Sequence, residues 1–263
     1  MAQVAYTFDD AAAYERYMGR WSRAAGHVFL NWLAAPGGAS WLDVGCGTGI
    51  FTELILQSTS PRSVAAVDPA AAQIEQARRG PAAQRAEFQA ADAQALPFAD
   101  NTFDVVASSL VLNFIPDRLQ ALAEMRRVAR PGAIIAGYVW DYIAGLNPNW
   151  PVRRGLERLG LCVPPLPGTQ DSSLDALSAL FDRAGLKDVS TRTMEVSESY
   201  IDFDDFWQAQ TPGYSPPTKI IAALTDADRA RLTETVRAVL PVRQDGRIYY
   251  ASRANAVKAR VPT

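Results

Sequence analysis

The chain has 263 residues, of which 48% are hydrophobic and 21% charged, with a formal net charge of -2 and a pI near 5.5. That composition fills the core of one α/β domain, or at most two small ones, and gives no overall attraction for nucleic acid. Met1 to Asp10 lack the basic start and apolar core of an export signal. The uncharged run Val105 to Pro116 is well short of the roughly 20 residues that span a bilayer, and Cys46 and Cys162 fit neither a metal-ligand spacing nor a disulfide framework. The expectation is a cytoplasmic protein with no membrane span.

The first predicted element is a helix from about Asp9 to Leu33, because Tyr14, Tyr17, Trp21, Ala25, Val28 and Trp32 recur at three- and four-residue steps. Arg16, Arg20, Arg23 and His27 form a second row beside them, which reads first as a solvated polar face. Pro36-Gly37-Gly38 ends the element. From residue 40 the pattern alternates. Strands are expected at Ser40–Val44, Val64–Asp68, Glu87–Gln89, Asp104–Ser108 and Ala133–Trp140. Helices are expected at about Gly49–Gln57, Ala70–Arg79 and Asp117–Ala129. Strands and helices alternating at this spacing imply a parallel sheet covered on both faces. Beyond Trp140 the pattern loosens: a short helix at Val152–Leu159, a helix at Leu174–Ala184, a strand at Val189–Val196, an aromatic-rich helical insertion over 198–245, and a last strand at Arg247–Ser252.

The chemistry concentrates in Trp41-Leu42-Asp43-Val44-Gly45-Cys46-Gly47-Thr48-Gly49, an apolar strand running into three alternate glycines. A glycine turn between strand and helix admits the polar part of a nucleotide-like ligand. Asp68 ends the next strand about 20 residues on, where a carboxylate accepts from ribose hydroxyls, although a helix-capping role is the plain alternative. A dinucleotide turn needs G-x-G-x-x-G, whereas Ile50 stands where the third glycine belongs. Asp92 follows the third strand, positioned either for an adenine amino group or as a simple turn residue.

Four ordered stretches, WLDVGCGTG, VAAVDPA, AADAQALPFADNTFDVVASSLVLNF and RVARPGAII, together resemble the class I S-adenosylmethionine-dependent methyltransferases, in particular the small-molecule branch typified by ubiquinone and menaquinone biosynthesis enzymes. The resemblance covers about residues 38 to 140; Tyr17 to Trp21 also resemble the lead-in helix of many such enzymes. It implies a Rossmann-like, doubly wound, mostly parallel seven-stranded sheet with an antiparallel last strand, an N-terminal helix and a helical lid. It further implies one domain over 1–263: an N-terminal segment 1–37, a cofactor-binding core 38–140, substrate-side insertions 141–170 and 197–246, and the rest of the sheet at 171–196 and 247–253.

The cofactor implied is S-adenosyl-L-methionine, with S-adenosyl-L-homocysteine as product. By the same resemblance Gly45, Cys46, Gly47 and Gly49 hold its methionine end over Asp43, with Tyr17 and Arg20 closing above. Asp68 and Pro69 take the ribose, Asp92 and Ala93 the adenine, and Ser109 and Leu110 lie near the sulfonium. Asn113, Trp140, Phe206 and Trp207 are candidates for the acceptor. Methyl transfer from a sulfonium requires in-line alignment more than a catalytic triad. His27 and Asp141 are the candidates for a general base, each with an ordinary structural alternative. The aromatic insertion favours an apolar or aromatic small-molecule acceptor if it lines the site, and the chain is expected to act as a monomer or homodimer. A nicotinamide-dependent oxidoreductase and a non-catalytic cofactor-binding module are the competing readings.

Overall fold

The computed structural model describes residues 15–212 and 216–263; Tyr14 and Tyr214 lie outside the described residues. Seven strands form one sheet in the order β3-β2-β1-β4-β5-β7-β6. They are β1 (Ser40–Val44), β2 (Ser63–Asp68), β3 (Glu87–Ala90), β4 (Phe103–Ser109), β5 (Ala129–Trp140), β6 (Lys187–Tyr200) and β7 (Ile248–Arg260). The first five pair in parallel, and β7 runs antiparallel to both β5 and β6. All five residues of β1 are buried, as expected of a parallel strand covered on both faces.

The pleat divides the core into two layers. Trp41, Val105, Ala107, Ile134, Ala136 and Tyr138 point into one layer, whereas Leu42, Val44, Val106, Ile135 and Val139 point into the other, the period-two alternation of a strand. The first layer meets α1 (Arg20–Leu33), α2 (Ile50–Ser58) and α3 (Ala71–Ala77) through residues such as Trp21, Phe29, Leu54 and Ile74. The second meets α4 (Arg118–Val128) and α6 (Leu174–Arg183) through Leu122, Met125, Leu177 and Phe181. Four further helices belong to the later insertions: α5 (Trp150–Arg158), α7 (Phe203–Gln210), α8 (Pro216–Ala222) and α9 (Asp226–Val239).

Several boundaries differ from the expected ones. A π-helical turn at Glu15–Gly19 precedes α1, and the buried face of α1 is Trp21, Ala25, Phe29 and Leu33, so Val28 and Trp32 sit at its margin. β5 begins at Ala129, which pairs with Phe103 before a register shift at Arg130-Pro131-Gly132, where Gly132 has φ 76°, and the pairing with β4 resumes at Ile134. β6 reaches Tyr200, and β7 extends eight residues past Ser252. The basic residues that disguised β7 are each anchored: Arg253 pairs with Asp141 at 2.7 Å, and Lys258 donates to the Trp32 carbonyl near the end of α1 at 2.9 Å. Cationic side chains near a helix C-terminus are favoured by the unpaired carbonyls there.

Candidate functional site

At the carboxyl ends of β1, β2, β4 and β5 lies a cavity of about 500 Å³, the edge at which open α/β sheets place ligands. Its floor is the turn after β1. Gly45, Gly47 and Gly49 all have positive φ, at 80°, 53° and 89°, a region costly for residues with a Cβ. At Gly45 an added Cβ would stand 2.5 to 2.8 Å from carbon atoms of Val111, so the β4 loop closes directly against the turn. At Gly47 the nearest atom would be 4.0 Å away, and Gly47 lines the cavity; its bare backbone faces ligand space.

The turn is tied down by β2. The Gly45 and Cys46 N–H groups donate to the Val67 carbonyl at 2.7 and 2.9 Å. Asp68 accepts from Gly47 N–H at 3.0 Å and from Ala70 N–H at 2.9 Å, so it bridges β2 to the glycine turn while lining the cavity; the N-cap of α3 is Ala70, with no side-chain cap, so Asp68 is not the helix cap. Burial raises its pKa, partly offset by those backbone donors. Beneath the turn Asp43 is fully buried, and its Oδ2 accepts from the Thr52 hydroxyl at 2.7 Å. Loss of hydration pushes its pKa up to about 7, opposed by Thr52 and reinforced by Asp68. The Cys46 thiol, on the cavity wall, is driven well above its ordinary value by burial and then by Asp43 and Asp68, so it is a neutral surface rather than a nucleophile.

Ser109 and Leu110 line the wall opposite. Leu110 has φ 61° and its N–H donates to the Tyr138 carbonyl at 2.8 Å; a left-handed leucine at a strand end is backbone strain held by its surroundings. The Ser109 hydroxyl donates to the Tyr138 hydroxyl at 2.7 Å. Of the residues singled out from the sequence, the cavity therefore gathers Tyr17, Gly45, Cys46, Gly47, Asp68, Pro69, Ser109, Leu110 and Trp140.

The others lie off its lining. Gly49 is the N-cap of α2 and faces Phe88. Asp92 closes a turn on the Gln94 N–H at 2.8 Å, and Ala93 is packed in the second core layer. Arg20 reaches the Asp205 carboxylate at 3.4 Å and lies over the Tyr200 ring, holding α1 to α7. Asn113 donates to the Pro167 carbonyl at 3.2 Å. Phe206 is fully buried against Tyr200, Phe203 and Tyr250, and Trp207 stacks on Phe203; both build the interior of the insertion. His27 is exposed on α1. Asp141 is 5% exposed and engaged by Arg253 and by Ala144 N–H, so its carboxylate is spent on loop structure.

The resemblance assigns 141–170 to the substrate side but singles out none of the far-wall residues within it. Phe114, from the turn after β4, lines the cavity together with Tyr142, Asn147, Asn149, Arg153 and Leu166, which are brought there by the chain between β5 and α6. Periodicity marks only the short helix at its centre, Trp150–Arg158. Its other signals were Asn147-Pro148-Asn149 and the proline cluster before Gly168, which announce turns without saying where they point.

The cavity fits an adenosyl sulfonium: an unobstructed backbone at Gly47, a half-buried carboxylate at the end of β2, and a buried Thr48 hydroxyl on the lining with no protein partner among the described residues. Comparison with known proteins agrees. Residues 42–137 match the methyltransferase domain family. The chain is 35% identical over 134 residues to a malonyl-[acyl-carrier protein] O-methyltransferase of Pectobacterium atrosepticum, covering 51% of each chain. It is 37% identical over 97 residues to a ubiquinone/menaquinone biosynthesis C-methyltransferase of Desulfotalea psychrophila, covering 37% of this chain and 39% of the other. The chain thus spans about half or less of the length of these curated relatives. A Haemonchus contortus phosphoethanolamine N-methyltransferase solved with S-adenosylhomocysteine shares the fold, with a TM-score of 0.58 at 15% identity over 97% of this chain and 58% of that one. Sheet order and glycine turn agree with the match of residues 42–137 to a methyltransferase domain.

Proposed function

We propose that the protein transfers a methyl group from S-adenosyl-L-methionine to a small organic acceptor bound in the same cavity. The observation that carries this reading is the open backbone of Gly47 beside Asp68 on one continuous cavity wall. Gly45, Cys46 and Gly47 would hold the methionine end, Asp68 and Pro69 the ribose, and Ser109 and Leu110 would flank the sulfur. The bound sulfonium supplies an activated methyl group. The protein's task is then to exclude water and to fix the acceptor in line, worth orders of magnitude in rate without a proton-transfer residue. Cavity walls of Met18, Phe114, Trp140, Leu166 and Pro217 favour an apolar or aromatic acceptor.

The whole chain reads as one domain, with 141–170 and 197–246 as insertions on the acceptor side. Among the described residues no helix is long and apolar enough to cross a membrane. The missing third glycine disfavours a nicotinamide cofactor. The test is turnover: incubation with methyl-labelled S-adenosylmethionine and a panel of hydroxyl, amine and carbon acceptors should yield S-adenosylhomocysteine and a labelled product. Cofactor binding without turnover on any acceptor would favour a binding module instead.

A further inference from the structure

The cavity is electrostatically asymmetric. Asp68, its sole carboxylate among the described residues, stands at the end of β2, whereas Arg153, its sole Lys or Arg there, stands on α5 beyond the end of β5. In the strand order β2 and β5 are three positions apart, roughly 14 Å at ordinary interstrand spacing. Arg153 forms no ion pair among the described residues: its guanidinium donates only to the Val163 and Pro164 carbonyls, at 3.2 and 3.5 Å. On the same cavity lining, Trp140 at the end of β5 is 3% exposed, and its indole N–H has no hydrogen-bond partner among the described residues. The buried Ser22 hydroxyl of α1 is in the same condition, and the adjacent Trp21 ring packs edge-on to Trp140 at 6.2 Å. A buried donor without a partner costs stability unless a ligand completes it.

The wall that presents Arg153 is rigidly pinned to β7. The Tyr250 hydroxyl donates to the Pro148 carbonyl at 2.7 Å, the Trp150 indole donates to the Ala251 carbonyl at 3.3 Å, and Arg253 N–H donates to the Leu146 carbonyl at 2.8 Å. A donor set held in advance and surrounded by apolar and aromatic walls suits selection of one polar group on an otherwise apolar molecule.

Building on the methyltransferase reading, we propose that the acceptor is an apolar or aromatic acid whose anionic oxygen group pairs with Arg153 and accepts a hydrogen bond from Trp140 Nε1. Arginine matches carboxylate and phosphate oxygens through two parallel N–H donors. The acidic group would lie on the β5 side, away from Asp68, leaving the remainder of the molecule to reach the glycine turn.

The test uses protein saturated with S-adenosylhomocysteine, titrated with matched pairs: phenylacetate and phenylacetamide, octanoate and octanamide, phenyl phosphate and phenol. At least one anion should bind tenfold or more tightly than its neutral partner, with the carboxylate and phosphate arms deciding which oxygen group is preferred. Arg153→Gln should erase that preference, Arg153→Lys should keep part of it, and Trp140→Phe should weaken the anion severalfold while S-adenosylhomocysteine affinity holds in all three. If no anion outcompetes its neutral partner, or if the preference survives in Arg153→Gln, the proposal is overturned. Failure of S-adenosylhomocysteine to bind the unaltered protein would instead overturn the methyltransferase reading itself.

Discussion

Replacing Asp43 with asparagine tests the electrostatics of the site's foundation. Burial raises the carboxyl from 3.8 to about 7, so the folded protein retains a proton that the unfolded chain releases between those values. The contribution of Asp43 to stability is therefore greatest below pH 4, declines as pH rises through this window, and is level above about pH 7. At 1.36 kcal/mol per pH unit the decline from this group is at most about 4 kcal/mol, and about 2 to 4 once relaxation of the buried site is allowed for. In Asp43→Asn the side-chain carbonyl still accepts from Thr52 but nothing ionises. Urea midpoints measured from pH 4 to pH 8 should show the variant gaining on the unaltered protein across that window. A difference between the two proteins that is constant with pH would refute the reasoning.

Other substitutions probe the remaining supports. Gly45→Ala places a Cβ 2.5 Å from Val111 at φ 80°, which should cost about 2 to 5 kcal/mol from left-handed strain and overpacking and show as a lowered calorimetric Tm. Tyr250→Phe removes the hydroxyl that holds the Pro148 carbonyl; about 1 to 2 kcal/mol of stability should be lost in urea titration, with S-adenosylhomocysteine affinity changed less than twofold. Arg253→Ala leaves the buried Asp141 carboxylate with the Ala144 N–H. Allowing for the partial exposure of Arg253, about 2 to 3 kcal/mol should be lost by the same measurement.

The sequence was legible where one local rule governed. β1 is bounded as expected because its neighbours, a Pro-Gly-Gly break and a glycine turn, admit no regular structure. The positions of Gly45, Gly47 and Asp68 followed likewise from strand–turn–helix order. Legibility failed where the decisive partner was remote. Nothing near Arg20 announces Asp205 across 185 residues, and the alternation of β7 was masked because Arg253, Lys258 and Arg260 are anchored by groups from other elements. The far wall was illegible for a related reason: its loop conformation is set by hydrogen bonds to β7, so Arg153 gains meaning only once the sheet is assembled.

Calorimetric titration with S-adenosylhomocysteine reaches the central claim most directly, comparing the unaltered protein with Asp68→Ala. One site per chain in the micromolar range, weakened at least tenfold by the substitution, is the expected result. An absence of binding heat together with stabilisation by NAD would contradict it.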